Sequence, residues 1–385
     1  MKRFLLLGST GSIGFSTLDV VRRHPKDLGV VGLSAQSNVE VLCSQIKEFR
    51  PEFVCLGDAK AAQELKAKVS SDLKIFFGPQ GLEEMVQDKR VDEVVMAISG
   101  SGALKPLIKA ISCAKPIVLA NKEALAMAGP LIMRLAEQKK VKVKPVDSEQ
   151  SAIWQCLDGQ DKRKLKRIYL TASGGPFRNA SLKDLKGISV SDALKHPRWK
   201  MGKKITVDSA TLMNKGLELL EAMYLFGVAA DKVDILIHPE AIIHSMVEFI
   251  DGVVMAQLSV TDMRIPIQYA LTYPERLPCK SVPEVDFFKL KSLNFEKPDL
   301  KKFPCLGLAI RAAEAGGTMP CVLNAANEVA VEAFLKKEID FVSIARVVEK
   351  VLERHKKVTV PGLDDIFGVD AWARQLAGAT VIKFN

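Results

Sequence analysis

The sequence predicts an α/β fold whose first part is a parallel sheet covered by helices on both faces. Three observations predict it. Short apolar runs alternate with helix-like amphipathic stretches through the first third of the chain, at the spacing of strand–helix–strand units. A glycine-rich turn, Gly8-Ser-Thr-Gly11-Ser-Ile-Gly14, follows the first apolar run and opens a helix. From residue 305 onward the apolar periodicity is helical throughout. Together these give an N-terminal Rossmann-like parallel-sheet domain, a central α+β domain and a C-terminal helical bundle.

Taken in order, residues 4–8 read as a strand and the next helix runs to Arg23. Strand 30–34 precedes a helix over 39–49, and strand 53–56 precedes a helix near 59–69. Further strands are expected at 74–77, 93–98, 116–119 and 141–146, with helical segments between them. After Asp147 the pattern becomes irregular and richer in Gly, Ser and Thr, as in TASGGPF (171–177), ISVSDALKHPRWKMG (188–202) and DSATLMNKGLE (208–218). Runs at 168–170, 233–238 and 253–260 read as strands. Five prolines interrupt 273–304, which reads as a linker. Helices over 306–315, 321–334, 341–355 and 364–376 then suggest a small bundle. The expected division is 1–147, 148–273, a linker over 274–304, and 305–385.

Composition narrows the function. The chain has 385 residues, 48% hydrophobic and 26% charged, which excludes a disordered or fibrous protein and implies more than one core. No apolar run approaches the ~20 residues that span a bilayer. The start lacks a long apolar stretch with a small-residue cleavage site, so a cytoplasmic protein without membrane association is expected. The seven Cys are scattered without a CxxC pair, which argues for reduced core thiols. The net charge of +10 fits either nucleic acid or a phosphorylated substrate with an anionic cofactor. The basic run KRKLKR (162–167) reads as a solvated turn, and no nucleic-acid recognition motif accompanies it, so no nucleic-acid partner is expected.

The glycine turn 8–14 suits a dinucleotide. Its glycines let backbone N–H groups approach a pyrophosphate at a helix N-terminus. An NAD site places an acid near the end of the second strand. Here that stretch is Ser34-Ala-Gln36-Ser37-Asn38, with no acid before Glu40. The missing carboxylate favours NADPH, whose 2′-phosphate it would repel. The same polar residues also read as a turn, with Ser37 or Asn38 capping the next helix.

Acidic residues form a second constellation. Asp147 and Glu149 follow a strand, and on an extended backbone positions i and i+2 point the same way. Asn214, Lys215 and Glu218 have helical spacing and share a face. Three carboxylates suit a hard divalent ion, Mg2+ or Mn2+, with Co2+ as a further candidate.

With these motifs in order, and with ANKE (120–123), VDSEQSAIWQ (146–155), HPRWKMG (196–202) and HPEAIIHS (238–245), the chain resembles the 1-deoxy-D-xylulose 5-phosphate reductoisomerase family over essentially its whole length. The resemblance implies an NADPH- and metal-dependent oxidoreductase of the non-mevalonate isoprenoid pathway. It also implies a small phosphorylated sugar as the substrate and a homodimer as the assembly. It implies Asp147, Glu149 and Glu218 as metal ligands, and Ser173, Ser209, Asn214 and Lys215 as holders of the substrate phosphate. Lys122, Ser148 and His196 would contact or orient the substrate. Gly8, Thr10, Gly11, Ser12, Ile13, Gln36, Asn38, Asn121, Glu123 and Gly202 would serve the cofactor. Many relatives carry a basic residue where this chain has Gln36-Ser37. Residues 196–202 read as a mobile lid with Trp199 as its apolar cover.

Competing readings are a dinucleotide-sensing regulator, a nucleic-acid-binding protein, and a semialdehyde- or homoserine-type dehydrogenase with the same first domain. The last would not need three converging carboxylates. Among the histidines, His238 and His244 read as structural and His24 and His355 as helix-end residues. Asn324, Asn327 and Glu328 read as buried polar packing.

Overall fold

The computed structural model describes residues 1–199, 201–280 and 282–383. Its elements begin β1 (Lys2–Leu7), α1 (Ser12–Arg23), β2 (Leu28–Ala35), α2 (Val39–Phe49), β3 (Phe53–Leu56), α3 (Ala59–Lys66), β4 (Lys74–Phe77), α4 (Gly78–Val86), β5 (Glu93–Met96), α5 (Leu104–Ser112) and β6 (Ile117–Leu119). They continue with α6 (Lys122–Gln138), β7 (Val143–Pro145), α7 (Ser148–Leu157), β8 (Leu165–Ala172), α8 (Val190–Ala193), α9 (Lys203–Ala210) and α10 (Met213–Phe226). Then come β9 (Val233–Ile237), β10 (Ile243–Phe249), β11 (Val254–Leu258), α11 (Arg264–Thr272), α12 (Pro304–Ala315), α13 (Met319–Leu335), α14 (Ser343–Glu353) and α15 (Leu363–Val381). The chain forms two compact units. The first comprises Met1–Asn121, Ile132–Ser151 and Asp262–Val282, and the second Lys122–Leu131, Ala152–Thr261 and Pro283–Asn385.

The first unit is built on a seven-stranded sheet in the order β4-β3-β2-β1-β5-β6-β7, every pair parallel. β3, β5 and β6 are buried along their whole length, as strands covered on both faces must be. The strand order reverses beside β1, which opens a crevice beyond the C-terminal ends of β1 and β5. The glycine turn falls there. Gly8 has φ +92°, and a Cβ on it would meet the Ala97 carbonyl oxygen at 2.5 Å, so only glycine fits between the loops after β1 and β5. Lys2 at the start of β1 and Lys144 within β7 each donate at 2.5 Å to the last turn of α11, on the carbonyls of Leu271 and Ala270. Glu93 lies 2.6 Å from Lys144 and balances it.

The second unit holds a four-stranded mixed sheet, β11-β10-β8-β9. β8 and β9 are parallel, and β10 is antiparallel to both β8 and β11. A shared core of Leu217, Leu220, Leu308, Val322, Val347 and Ala377 joins α10 to the four helices α12–α15, the bundle expected from the sequence.

Several elements differ from the expected ones. The stretch 188–218, read as irregular apart from one helix, holds α8, α9 and α10. β10 and α11 were not expected. His244, Ser245 and Glu248 within IHSMVEF break the apolar run that marks a strand, and Pro266 sits in the first turn of α11, where proline is tolerated. Within the proline-rich stretch, Glu296 pairs antiparallel with Ile237. Among the described residues no helix is long and apolar enough to cross a membrane.

Candidate active site

In the first unit, Gly8 to Ile13 form the turn into α1, with Gly11 at its N-cap and no acid in its first turn. Those N-terminal amides make a ready anion site. Ser34 accepts from the Gly8 N–H at 3.0 Å and is buried, so its hydroxyl braces the turn and is not presented to a ligand. Gln36, Ser37 and Asn38 are exposed beyond β2. Asn38 caps α2, its side chain accepting from Val41 N at 3.2 Å. Asn121 donates to the carbonyls of Ile98 and Gly100 at 2.8 and 3.0 Å, tying the loop after β6 to the loop after β5.

Asp147 and Glu149 also lie in this unit, half-buried, and offer carboxylate oxygens within 4.8 Å of each other. The extended backbone expected to bring them together is not there. Ser148 begins α7, and Ser151 N–H donates to the Asp147 carbonyl at 2.8 Å. The two acids converge on the first turn of a helix, where the helix dipole favours negative charge. Ser148 donates its hydroxyl to Glu149 Oε2.

In the second unit, α10 presents Asn214, Lys215 and Glu218 as their spacing predicts. The Asn214 amide and the Lys215 ammonium both donate to Glu218. Lys122, from the first turn of α6, lies 2.9 Å from Asn214 Oδ1 and 3.0 Å from Glu218 Oε1. Lys122, Lys215 and Glu218 are all buried. One carboxylate between two ammoniums leaves a net positive cluster, which suits an anionic group such as a phosphate. An ammonium has three N–H donors, so Lys215 can serve Glu218 and a phosphate oxygen together.

Ser173, Ser209, His196 and Trp199 belong to the same unit. Gly175, at φ +67°, brings the Ser173 loop against the backbone of Ser209 in α9; a Cβ there would meet the Ser209 carbonyl oxygen at 2.7 Å. His196 Nδ1 accepts from the N–H groups of Arg198 and Trp199, at 3.2 and 2.9 Å. Its proton therefore sits on Nε2, which donates to Ser173 Oγ at 3.3 Å. Gly175 N–H also donates to Ser173 Oγ, at 3.4 Å. The serine's own proton is then directed to another acceptor. Burial pushes His196 down to about 4, so the ring is neutral near pH 7. The Trp199 ring is half-buried, 6.3 Å from the His244 ring. Lys200, within the expected lid, lies outside the described residues.

Glu123 and Gly202 are both in this unit. Gly202 is the N-cap of α9, and Lys204 two residues later lies 2.8 Å from Glu123 Oε1 and 2.9 Å from Asp208 Oδ2. Asp208 Oδ1 accepts from Asn327 at 2.8 Å. Neither Lys204 nor Asp208 was singled out from the sequence. Their i, i+4 spacing was the available signal. Burial raises the Glu123 carboxyl, but Lys204 outweighs it and holds the group below its usual range. His238 is fully buried, its Nε2 accepting from the N–H groups of Ile242 and Ile243, which is a structural role.

Comparison with known proteins follows the same lines. The family described as 1-deoxy-D-xylulose 5-phosphate reductoisomerase matches residues 4–129, its C-terminal domain matches 143–226, and the DXP reductoisomerase C-terminal domain matches 258–376. The chain is 52% identical over 375 residues to the 1-deoxy-D-xylulose 5-phosphate reductoisomerase of Caldanaerobacter subterraneus subsp. tengcongensis, covering 97% of this chain and 98% of the relative. It is 52% identical over 381 residues to the enzyme of the same name from Desulfosudis oleivorans, covering 98% and 99%. A crystal structure of DOX-P reductoisomerase in complex with NADPH, fosmidomycin and magnesium superposes with a TM-score of 0.93 at 40% identity, covering 99% of this chain and 98% of that one. The Zymomonas mobilis 1-deoxy-D-xylulose 5-phosphate reductoisomerase in complex with NADPH gives 0.92 at 40% identity, covering 99% of each.

Proposed function

The chain belongs to the 1-deoxy-D-xylulose 5-phosphate reductoisomerase family, and from that premise we propose that it converts 1-deoxy-D-xylulose 5-phosphate to 2-C-methyl-D-erythritol 4-phosphate with NADPH and a divalent cation. The single observation that carries this reading is the match of about half the residues over nearly the full length of enzymes with that name. We assign residues 1–147 to cofactor binding, 148–273 to catalysis, 274–304 to a linker and 305–385 to the bundle. The protein acts as a cytoplasmic homodimer.

Asp147, Glu149 and Glu218 hold the cation, Mg2+, Mn2+ or Co2+. In support, the Asp147 and Glu149 oxygens come within 4.8 Å of each other, and an all-carboxylate donor set fits a hard divalent ion. When bound, the cation supplies Lewis acidity to the substrate oxygens and NADPH supplies the hydride.

The remaining chemistry belongs to the chain. Ser173, Ser209, Asn214 and Lys215 bind the phosphate, which does not react; its binding energy orients the reacting end. Neutral His196 directs the Ser173 proton toward that phosphate. Lys122 and Ser148 hold substrate oxygens, and Trp199 excludes water. The α1 turn binds the pyrophosphate, with Gln36 and Asn38 beside the adenosine ribose and Asn121, Glu123 and Gly202 contacting the rest of the cofactor. The test is consumption of NADPH with 1-deoxy-D-xylulose 5-phosphate and Mg2+ or Mn2+, with and without chelator. Turnover that needs both substrate and cation supports the reading. No consumption of NADPH under either metal defeats it.

A further inference from the structure

Glu123 and Gly202 come from distant parts of the chain, and a single side chain joins them. Lys204 stands two residues after Gly202 in the first turn of α9, and its ammonium reaches Glu123 in the first turn of α6 at 2.8 Å. The same ammonium lies 2.9 Å from Asp208, whose side chain is 1% exposed. The other Asp208 oxygen accepts from Asn327 of α13, itself fully buried. One cation thus serves two carboxylates, and one of these is anchored to the bundle. Glu123 is also next in sequence to Lys122, whose ammonium is engaged with Asn214 and Glu218.

We propose that Lys204 is the positioning residue that fixes the Glu123 carboxylate, and with it the first turn of α6, for cofactor binding. The inference rests on the proposed function, in which Glu123 and Gly202 contact NADPH. Without the ammonium, Glu123 and Asp208 are two carboxylates with no cation between them. Asp208 cannot withdraw, because Asn327 and its own burial hold it. Glu123 must then swing away or take up a proton, and either change removes a cofactor contact. The Lys204 stem is partly covered, so a substitution that only loosened packing would lower stability without selecting cofactor affinity.

The experiment titrates NADPH, by its fluorescence, into the full-length protein and its Lys204→Met, Lys204→Arg, Glu123→Gln and doubly substituted Lys204→Met/Glu123→Gln forms. Lys204→Met should weaken NADPH binding about tenfold, the scale of one charge-assisted hydrogen bond. Lys204→Arg should restore most of it, since the charge remains. The double variant should bind no worse than the weaker single one, because both substitutions break the same link. In turnover, the KM for NADPH should rise more than kcat falls. If Lys204→Met does not fold, Lys204→Gln carries the same expectation. NADPH affinity within about twofold of the parent, or losses that multiply in the double variant, overturns the proposal. A parent protein that binds no NADPH overturns the functional reading beneath it, and the proposal with it.

Discussion

The Lys122 ammonium lies 3.0 Å from Glu218 Oε1, with side chains 6% and 1% exposed. Lys215 closes on the other oxygen of the same carboxylate. A buried charge with a satisfied partner costs little, but one stripped of its partner costs several kcal/mol. Lys122→Met leaves Glu218 with Lys215 as a charged partner and the Asn214 amide as a donor, so we expect a loss of about 2–3 kcal/mol, below the cost of a fully orphaned charge. Activity should fall much further, because Lys122 is also assigned to substrate. Chemical denaturation and steady-state kinetics check the two effects. A variant of unchanged stability would mean that Glu218 does not need Lys122.

Glu149→Gln keeps the size of the side chain and removes one negative oxygen from the cation's proposed ligands. The expected result is a large rise in the Mg2+ or Mn2+ concentration needed for half-maximal rate, on the order of 10–100-fold. NADPH affinity should stay near the parent value. A metal titration at saturating substrate measures the first, and a fluorescence titration the second. An unchanged metal requirement removes Glu149 from the ligand set.

Much of this arrangement was readable beforehand, for identifiable reasons. β3 and β6 fall within a residue of where expected because strands inside a parallel sheet are short, continuous apolar runs. Asn214, Lys215 and Glu218 were placed on one face by helical spacing, and their hydrogen bonds agree. Asp147 and Glu149 were paired correctly on the wrong backbone: a strand pleat was expected, and a helix start is found. The Glu123–Lys204 bond spans 81 residues, and nothing in local pattern announces it; only the packing of α9 beside the start of α6 creates it. β10 was obscured because its buried positions include His244 and Ser245 among the apolar ones.

His196 provides a pH test. Its folded value of about 4 is below the ordinary 6.5, and the cause is burial. The sign follows from proton uptake. Between pH 6.5 and 4 the unfolded ring binds a proton and the folded ring does not, so stability rises with pH across that window. The contribution is complete above about 6.5 and is lost as pH falls toward 4. Melting temperature should therefore fall on acidification through this range, and less steeply in His196→Asn. Equal slopes for parent and variant would show that His196 titrates alike in both states.

Trp199 decides whether 196–202 covers the substrate or only completes the core. Its backbone N–H is held on His196 Nδ1 at 2.9 Å, so ring and imidazole move as one piece of loop. The indole is half-buried and neighbours His244, whose Nε2 bonds to the Ser259 carbonyl at 3.1 Å. A core tryptophan replaced by alanine costs about 3–5 kcal/mol. A half-exposed loop aromatic should cost well below that, roughly 1 kcal/mol. If its purpose is to exclude water from the reacting oxygens, the loss appears instead in turnover. Trp199→Ala should lower kcat/KM by about tenfold or more, equivalent to at least ~1.4 kcal/mol of transition-state stabilisation. Limited proteolysis gives an independent reading: cleavage near Arg198 should slow when NADPH and a substrate analogue are both present. A stability loss of several kcal/mol with kcat/KM nearly intact assigns Trp199 to packing and removes the lid.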